Sequence, residues 1–177
     1  MYLAELHGKL PSRIERMEDI LTSNVFSLFK YSTREIFLQG YLNKLGFNIS
    51  NQEANEAEFI FWPRFGDNTE PDLVLIVGDY YLLIEAKYFS DFAEDQIQRE
   101  IRGGEIEAKN YGKDFKLIAI TADYYYKEDK FRVLIPLDFI PHFKWTNWQQ
   151  VSAFLYSVLE NRKNIKKQER DFALDLY

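Results

Sequence analysis

Two acidic residues and a lysine stand at the ends of two neighbouring apolar runs in the middle of this 177-residue chain. Asp72 directly precedes the first run, and Glu85-Ala86-Lys87 closes the second. A carboxylate that leaves water is costly unless it is paired, hydrogen-bonded or bound to a cation. A divalent metal ion is the simplest partner for two acids placed in this way.

The turn between the runs fixes how the acids meet. Gly78-Asp79 suits a two-residue type II′ hairpin turn. With that turn as the loop, the antiparallel register places Asp72 opposite Glu85. Directly opposed residues have β-carbons about 5 Å apart, where two like charges are destabilising. Lys87 lies two residues beyond Glu85 and therefore points to the same face of the sheet.

Two adjacent carboxylates beside an ammonium group suit the hydrolysis of a phosphodiester bond. Mg²⁺ is usually held by one or two carboxylates together with waters and substrate phosphates. A metal polarises the phosphate and lowers the pKa of a bound water, and a lysine positions that water or stabilises charge. The pattern predicts that Asp72 and Glu85 hold Mg²⁺ or Mn²⁺ and that Lys87 is catalytic.

The pattern of Pro71-Asp72 followed by Glu85-Ala86-Lys87 resembles the PD-(D/E)XK nuclease superfamily, which has the restriction-endonuclease-like fold. The resemblance implies a metal-dependent nuclease that acts on nucleic acid, with DNA favoured over RNA. It adds the backbone carbonyl of Ala86 as a metal ligand. It also implies a place in prokaryotic restriction, repair or phage defence.

A catalytically silent module of the same fold, which binds protein or nucleic acid, is the alternative. The formal net charge of −6 and the pI near 5.1 favour it, because nucleic-acid binders are usually basic. The intact acids and lysine oppose it, and we expect the enzyme. A protein partner or a homodimer that brings substrate to the site is compatible with the acidic charge.

Glu18 is the second candidate residue. On a helical wheel that starts at Ile14, Glu18 falls at about 40°, within the apolar stripe, whereas Asp19 falls at about 140°. A carboxylate inside a buried face indicates a functional site. By resemblance Glu18 joins the metal site, with Asp19 as the fallback, and a residue at the edge of the stripe that reaches solvent is the alternative.

Gln96 is the third candidate. Nucleases of the exonuclease branch carry a glutamine on the helix after the Glu-x-Lys strand, where it orients the lysine or the water. By resemblance Gln96 takes this role, with Gln98 as a weaker alternative. The branch often has a tyrosine four residues later, and this chain has Glu100 there.

Capping boxes, apolar runs and turn residues predict an α/β fold with a mixed β-sheet flanked by helices. Boxes at Ser12-Arg13-Ile14-Glu15 and Ser32-Thr33-Arg34-Glu35 open two helices, the second ending near Gly46. A strand ends near residue 62, the hairpin follows, and a helix runs to about residue 102 or on to Gly112. Further strands are predicted at 115–122 and 131–135. The prediction is one domain over 1–177, with a core at about 12–135 and a helical C-terminal extension at about 146–177.

The amino-acid composition excludes several kinds of site and several classes of protein. The absence of cysteine excludes disulfides, thiol catalysis and cysteine-bound zinc, and two histidines make a histidine metal site unfavourable. No apolar stretch reaches a membrane span, so we expect no membrane contact and a cytoplasmic location. Weak candidates for nucleic-acid contact lie in a basic cluster that includes Lys163, Lys166 and Lys167, for which a solvated helix face is the alternative. Bases of a single strand could also stack on Tyr88 and on the tyrosines at 124–126. Packing of these rings, or a place at an interface, is favoured over stacking.

Overall fold

The computed structural model describes residues 15–66, 68–88 and 91–176. The described residues form two compact units, each treated separately. One combines the chain up to Glu56 with the chain from Trp148, and the other is Ala57–Asn147. The prediction of a single domain stays a prediction. Within the described part of the chain, no helix is both long and apolar enough to cross a membrane.

The first unit is helical. Its helices are α1 (Glu15–Tyr31), α2 (Leu38–Lys44), α3 (Asn51–Glu56), α6 (Trp148–Asn161) and α7 (Lys167–Leu176). Phe29 of α1 packs against Tyr41 of α2 and Phe154 of α6, with ring centroids 5.1 and 6.2 Å apart. Val25 and Leu28 are buried, as the predicted apolar stripe of α1 requires.

The helix starts in this unit differ in part from the prediction. The Ser12-Arg13-Ile14 part of the first capping box lies outside the described residues. The second helix begins at Leu38 rather than after Ser32, and it is preceded by a turn at residues 34–37 in which the Ile36 and Phe37 amides donate to the Thr33 carbonyl. Helix α3 was not predicted, although Ser50 and Glu53 form a capping box in which the Ser50 amide donates to the Glu53 carboxylate at 2.7 Å.

The second unit carries a five-stranded mixed sheet in the order β1-β2-β3-β4-β5. The strands are β1 (Glu58–Phe61), β2 (Leu73–Val77), β3 (Tyr80–Ala86), β4 (Asp114–Thr121) and β5 (Phe143–Asn147). β1 pairs with β2, and β2 with β3, in antiparallel orientation, whereas β3, β4 and β5 run parallel to one another. The chain is therefore an α/β protein with an open mixed sheet and helices, as predicted at this level.

The hairpin register is confirmed. Leu73 pairs with Ile84 and Val77 with Tyr80, which leaves Gly78-Asp79 as the two-residue loop. Gly78 has a φ of 52°, the positive value that a type II′ turn requires at its first central position.

Helix α4 (Glu94–Tyr111) lies between β3 and β4 and runs without interruption through Gly103-Gly104. A β-carbon would lie 2.5 Å from the Phe65 ring at the first of these glycines and 2.3 Å from the Phe115 ring at the second. The pair therefore allows close helix–sheet packing and does not end the helix at residue 102. The helix ends at Gly112, whose φ of 64° forms a left-handed cap.

The predicted strand at 131–135 is wrong. This segment belongs to α5 (Glu128–Leu134), and a 3₁₀ helix (Leu137–His142) then leads into β5. Phe131 and Leu134 are buried while Val133 is exposed, so the apolar residues follow helical spacing. A short apolar run fits a buried strand or a buried helix equally well, and the sequence alone did not separate the two.

Candidate functional site

The predicted residues of the hairpin meet at one edge of the sheet. Asp72 directly precedes β2, Glu85 lies near the end of β3, and Lys87 follows β3. Because β3, β4 and β5 are parallel, this is the edge at which all three strands have their carboxyl ends. Ligands of open α/β sheets commonly bind at such an edge.

Asp72 and Glu85 are adjacent, as the register predicted. The backbone amide of Asp72 donates to Glu85 Oε2 at 3.3 Å, and the amide of Ala86 donates to Asp72 Oδ2 at 2.8 Å. Glu85 is 2% exposed, whereas Asp72 is only partly buried. The hairpin thus holds one buried and one accessible carboxylate side by side.

Lys87 forms an ion pair with the buried acid. Its ammonium group lies 2.7 Å from Glu85 Oε1, and its backbone amide donates to the carbonyl of Ile120 in β4. The ammonium also lies 5.8 Å from the centre of the Phe92 ring. Burial raises the pKa of Glu85, and the charge of Lys87 opposes that rise.

Gln96 of α4 joins the same cluster. Its Nε2 donates to Glu85 Oε1 at 2.7 Å and to Glu100 Oε1 at 2.8 Å. Gln98 points elsewhere and donates to Glu94 at 3.2 Å in an exposed position. The structure therefore places Gln96, and not Gln98, beside the candidate site.

Glu100 is the residue that the sequence analysis did not recognise as part of this cluster. Its side chain is fully buried, and its Oε2 has no hydrogen-bond partner among the described residues. Burial, followed by the negative charge of Glu85, raises its pKa to about 9. A helical wheel of α4 contained the signal, because Glu100 lies only about 60° from Ile97 in the apolar stripe.

The donor atoms of the cluster match a hard divalent cation. Asp72 and Glu85 offer carboxylate oxygens, and the chain contains no cysteine. Within the described residues, no three His, Asp or Glu side chains are arranged to hold an ion. A metal here would therefore need oxygen ligands from the backbone, water or substrate, which is the way Mg²⁺ is commonly bound.

The other predicted residues lie in the first unit. Glu18 and its fallback Asp19 are both on α1 and both partly buried, so their burial does not distinguish them. Lys163, Lys166 and Lys167 are exposed, and the Lys166 ammonium lies 3.5 Å from the Glu169 carboxylate. The roles predicted for these residues stay predictions.

A small cavity of about 160 Å³ opens beside Lys87. It is lined by Lys87, Tyr88, Asp91, Thr121, Ala122, Asp123 and Lys130. It therefore connects the candidate site with the loop that follows β4.

Comparisons of the chain with protein-family models, with curated proteins and with solved structures found no match. A functional proposal for this chain is therefore based on its own residues and their geometry.

Proposed function

We propose that this protein is a metal-dependent nuclease that hydrolyses phosphodiester bonds, of DNA in preference to RNA. The observation that carries the proposal is the buried Glu85 carboxylate, which contacts both the Asp72 backbone and the Lys87 ammonium at the carboxyl edge of the sheet. A buried acid in such an arrangement is costly, and a catalytic role explains its presence.

Asp72, Glu85 and the backbone carbonyl of Ala86 would hold Mg²⁺ or Mn²⁺. When bound, such an ion lowers the pKa of a coordinated water and stabilises charge on the phosphate. The Ala86 amide, which donates to Asp72 Oδ2 at 2.8 Å, fixes the orientation of the accessible carboxylate.

Lys87 and Gln96 act on the same oxygen of Glu85. Both donate to Oε1 at 2.7 Å, so they hold the carboxylate in one rotamer and balance part of its charge. The Lys87 side chain is 15% exposed, and its ammonium can also contact the attacking water or a phosphate oxygen. Gln96 thus acts as a positioning residue.

The strand order supports the finer proposal of a restriction-endonuclease-like fold. Three antiparallel strands, a helix and then a parallel strand follow one another in the second unit, and the acids lie where the resemblance places them. Helix α1 precedes these strands in the chain and carries Glu18, whose expected role at the metal stays a prediction.

The first test is cleavage of labelled DNA and RNA by the purified protein in Mg²⁺ and in Mn²⁺. We expect cleavage by the wild type and its loss in Asp72→Asn and Lys87→Ala, with circular dichroism showing that each variant is folded. Exposed positions on α4 supply matched controls, Asp95→Asn and Lys109→Ala, which should cleave like the wild type. No cleavage by the wild type, or full cleavage by Asp72→Asn, contradicts the proposal.

A catalytically silent binding module is the second candidate function. One observation favours it: Lys87 and Gln96 both donate to Glu85, so side chains of the protein itself stabilise this buried acid. Calorimetry with Mn²⁺ separates the two functions. The nuclease requires that Asp72→Asn weaken Mn²⁺ binding relative to Asp95→Asn, whereas the silent module requires equal affinities.

A further inference from the structure

Three consecutive tyrosines follow the candidate site along the chain, on the loop between β4 and α5. Tyr124 is 82% exposed, Tyr125 is 69% exposed and Tyr126 is 44% exposed. Aromatic rings usually bury most of their surface, because each ring offers a large apolar area. Tyr124 and Tyr125 are therefore not packed within the described chain, and their exposed rings are available to an interface, the other place predicted for them.

The loop that carries these rings is fixed at both ends. Asn147 Nδ2 donates to the carbonyl of Asp123 at 2.8 Å, and Trp145 Nε1 donates to Thr121 Oγ1 at 3.1 Å. Tyr126 stacks on Phe131 with ring centroids 5.3 Å apart and an interplanar angle of 9°. The two outer rings are therefore presented from an anchored base, which lowers the entropy cost of binding a ligand.

The same loop borders the candidate site. The cavity of about 160 Å³ beside Lys87 is also lined by Thr121, Ala122 and Asp123, the residues that directly precede Tyr124. A chain-like ligand bound at Lys87 can therefore continue toward the tyrosines.

Positive charge near the loop is compensated within the protein. The Lys127 ammonium lies 2.6 Å from Asp123, and Lys130 pairs with Asp91. The whole chain carries a net charge of −6. A ligand of this surface would gain more from ring contacts than from attraction of its phosphates.

We infer that Tyr124 and Tyr125 form a stacking platform for the bases of an unpaired nucleic-acid strand whose backbone enters the Lys87 site. This inference rests on the proposed nuclease function and specifies its substrate class. Every base has a flat face that stacks on an aromatic ring, so recognition of this kind needs no base pair and no basic groove. A duplex hides those faces and relies on phosphate contacts, which this surface does not favour.

The direct test is binding in EDTA, where metal-dependent cleavage cannot occur. Fluorescence anisotropy compares single-stranded DNA, single-stranded RNA and a DNA hairpin of equal length. We expect the single strands to bind more tightly than the hairpin, and the DNA and RNA arms show which sugar the site accepts. The salt dependence should be shallow, because few counterions are released.

Matched variants isolate the rings. Tyr124→Ala combined with Tyr125→Ala should weaken single-strand binding about tenfold or more, since stacking is worth ~1–3 kcal/mol per base. The corresponding Phe pair should bind like the wild type, because it keeps the ring faces. Tyr31→Ala is the control, since Tyr31 is 67% exposed and lies in the other unit.

Photocross-linking locates the contact independently of affinity. A single strand that contains 5-iodouridine should cross-link to the tryptic peptide 117–127, which holds all three tyrosines. The inference is overturned if the wild type prefers the hairpin, if the Ala pair binds like the wild type, or if the cross-link lies in another peptide.

The nuclease proposal and the stacking-platform proposal can be refuted independently of each other. Loss of single-strand binding in the Ala pair together with absence of cleavage in Mg²⁺ and Mn²⁺ supports the platform and overturns the nuclease. Cleavage of duplex DNA that the Ala pair leaves unchanged supports the nuclease and overturns the platform.

Discussion

Replacement of Glu100 by glutamine should stabilise the protein by an amount that grows with pH. The Glu100 carboxyl is fully buried in α4, and its pKa is raised from 4.5 to about 9. Between pH 4.5 and about pH 9, Glu100 keeps its proton in the folded protein and has released it in the unfolded chain. The folded state therefore binds more protons, and wild-type stability falls as the pH rises through this window.

The magnitude follows from the proton count. One proton changes the free energy of unfolding by about 1.4 kcal/mol per pH unit. At pH 7, which is two and a half units above the ordinary value of 4.5, the accumulated loss is about 3 kcal/mol. Glutamine copies the protonated acid, because its oxygen still accepts from Gln96 and its amide takes the place of the acid hydroxyl.

The assay is urea unfolding at pH 5, 6, 7 and 8 in EDTA, for the wild type, Glu100→Gln and Glu105→Gln. Glu105 is exposed on the same helix and serves as the matched control. The stability advantage of Glu100→Gln should widen by about 1.4 kcal/mol per pH unit, whereas the control should follow the wild type. Parallel curves for Glu100→Gln and the wild type would refute the reasoning, since they would mean that folding leaves the proton affinity of Glu100 unchanged.

Lys87→Met should destabilise the protein by about 3 kcal/mol at pH 8, because it leaves the Glu85 carboxylate buried without its cation. An unchanged urea midpoint would contradict that ion pair. Gly104→Ala should cost about 1–3 kcal/mol, because the new β-carbon would lie 2.3 Å from the Phe115 ring. Gly66→Ala is its control in thermal unfolding, since a β-carbon there meets nothing within 4 Å, and equal losses in both variants would refute the packing argument.

The hairpin was predictable because local rules determine it. Strand side chains alternate with a period of two, and a two-residue loop leaves a single register. Gly78 supplies the positive φ that the loop needs. These rules act over about fifteen residues, so one sequence was sufficient to place Asp72 beside Glu85.

The last strand was not predictable in the same way, because its identity depends on distant contacts. Phe143–Asn147 alternates apolar and polar residues over its first four positions, but its buried residues are the polar Thr146 and Asn147. Asn147 finds its partner in the carbonyl of Asp123, 24 residues away. The segment at 131–135 has stronger β-propensity, yet the packing of Phe131 and Leu134 makes it helical.

The candidate site was predicted only in part for a related reason. The spacing of the hairpin indicates Asp72, Glu85 and Lys87, and the family resemblance adds Gln96. Glu100 belongs to the cluster because α4 packs its buried face against the sheet. Its contribution depends on burial, which a motif does not encode.

The net charge of the cluster links metal binding to phosphate binding in the proposed reaction. With Glu100 holding its proton, the cluster contains the carboxylates of Asp72 and Glu85 and the ammonium of Lys87, which leaves one negative charge. A divalent cation would change that sum to one positive charge. A phosphodiester carries one negative charge, so the metal-bound cluster would complement it better than the cluster alone. An ionised Glu100 would cancel this complementarity, because a second buried negative charge would weaken substrate binding. The burial of Glu100 beside Gln96 keeps its carboxyl group neutral and so serves the proposed reaction.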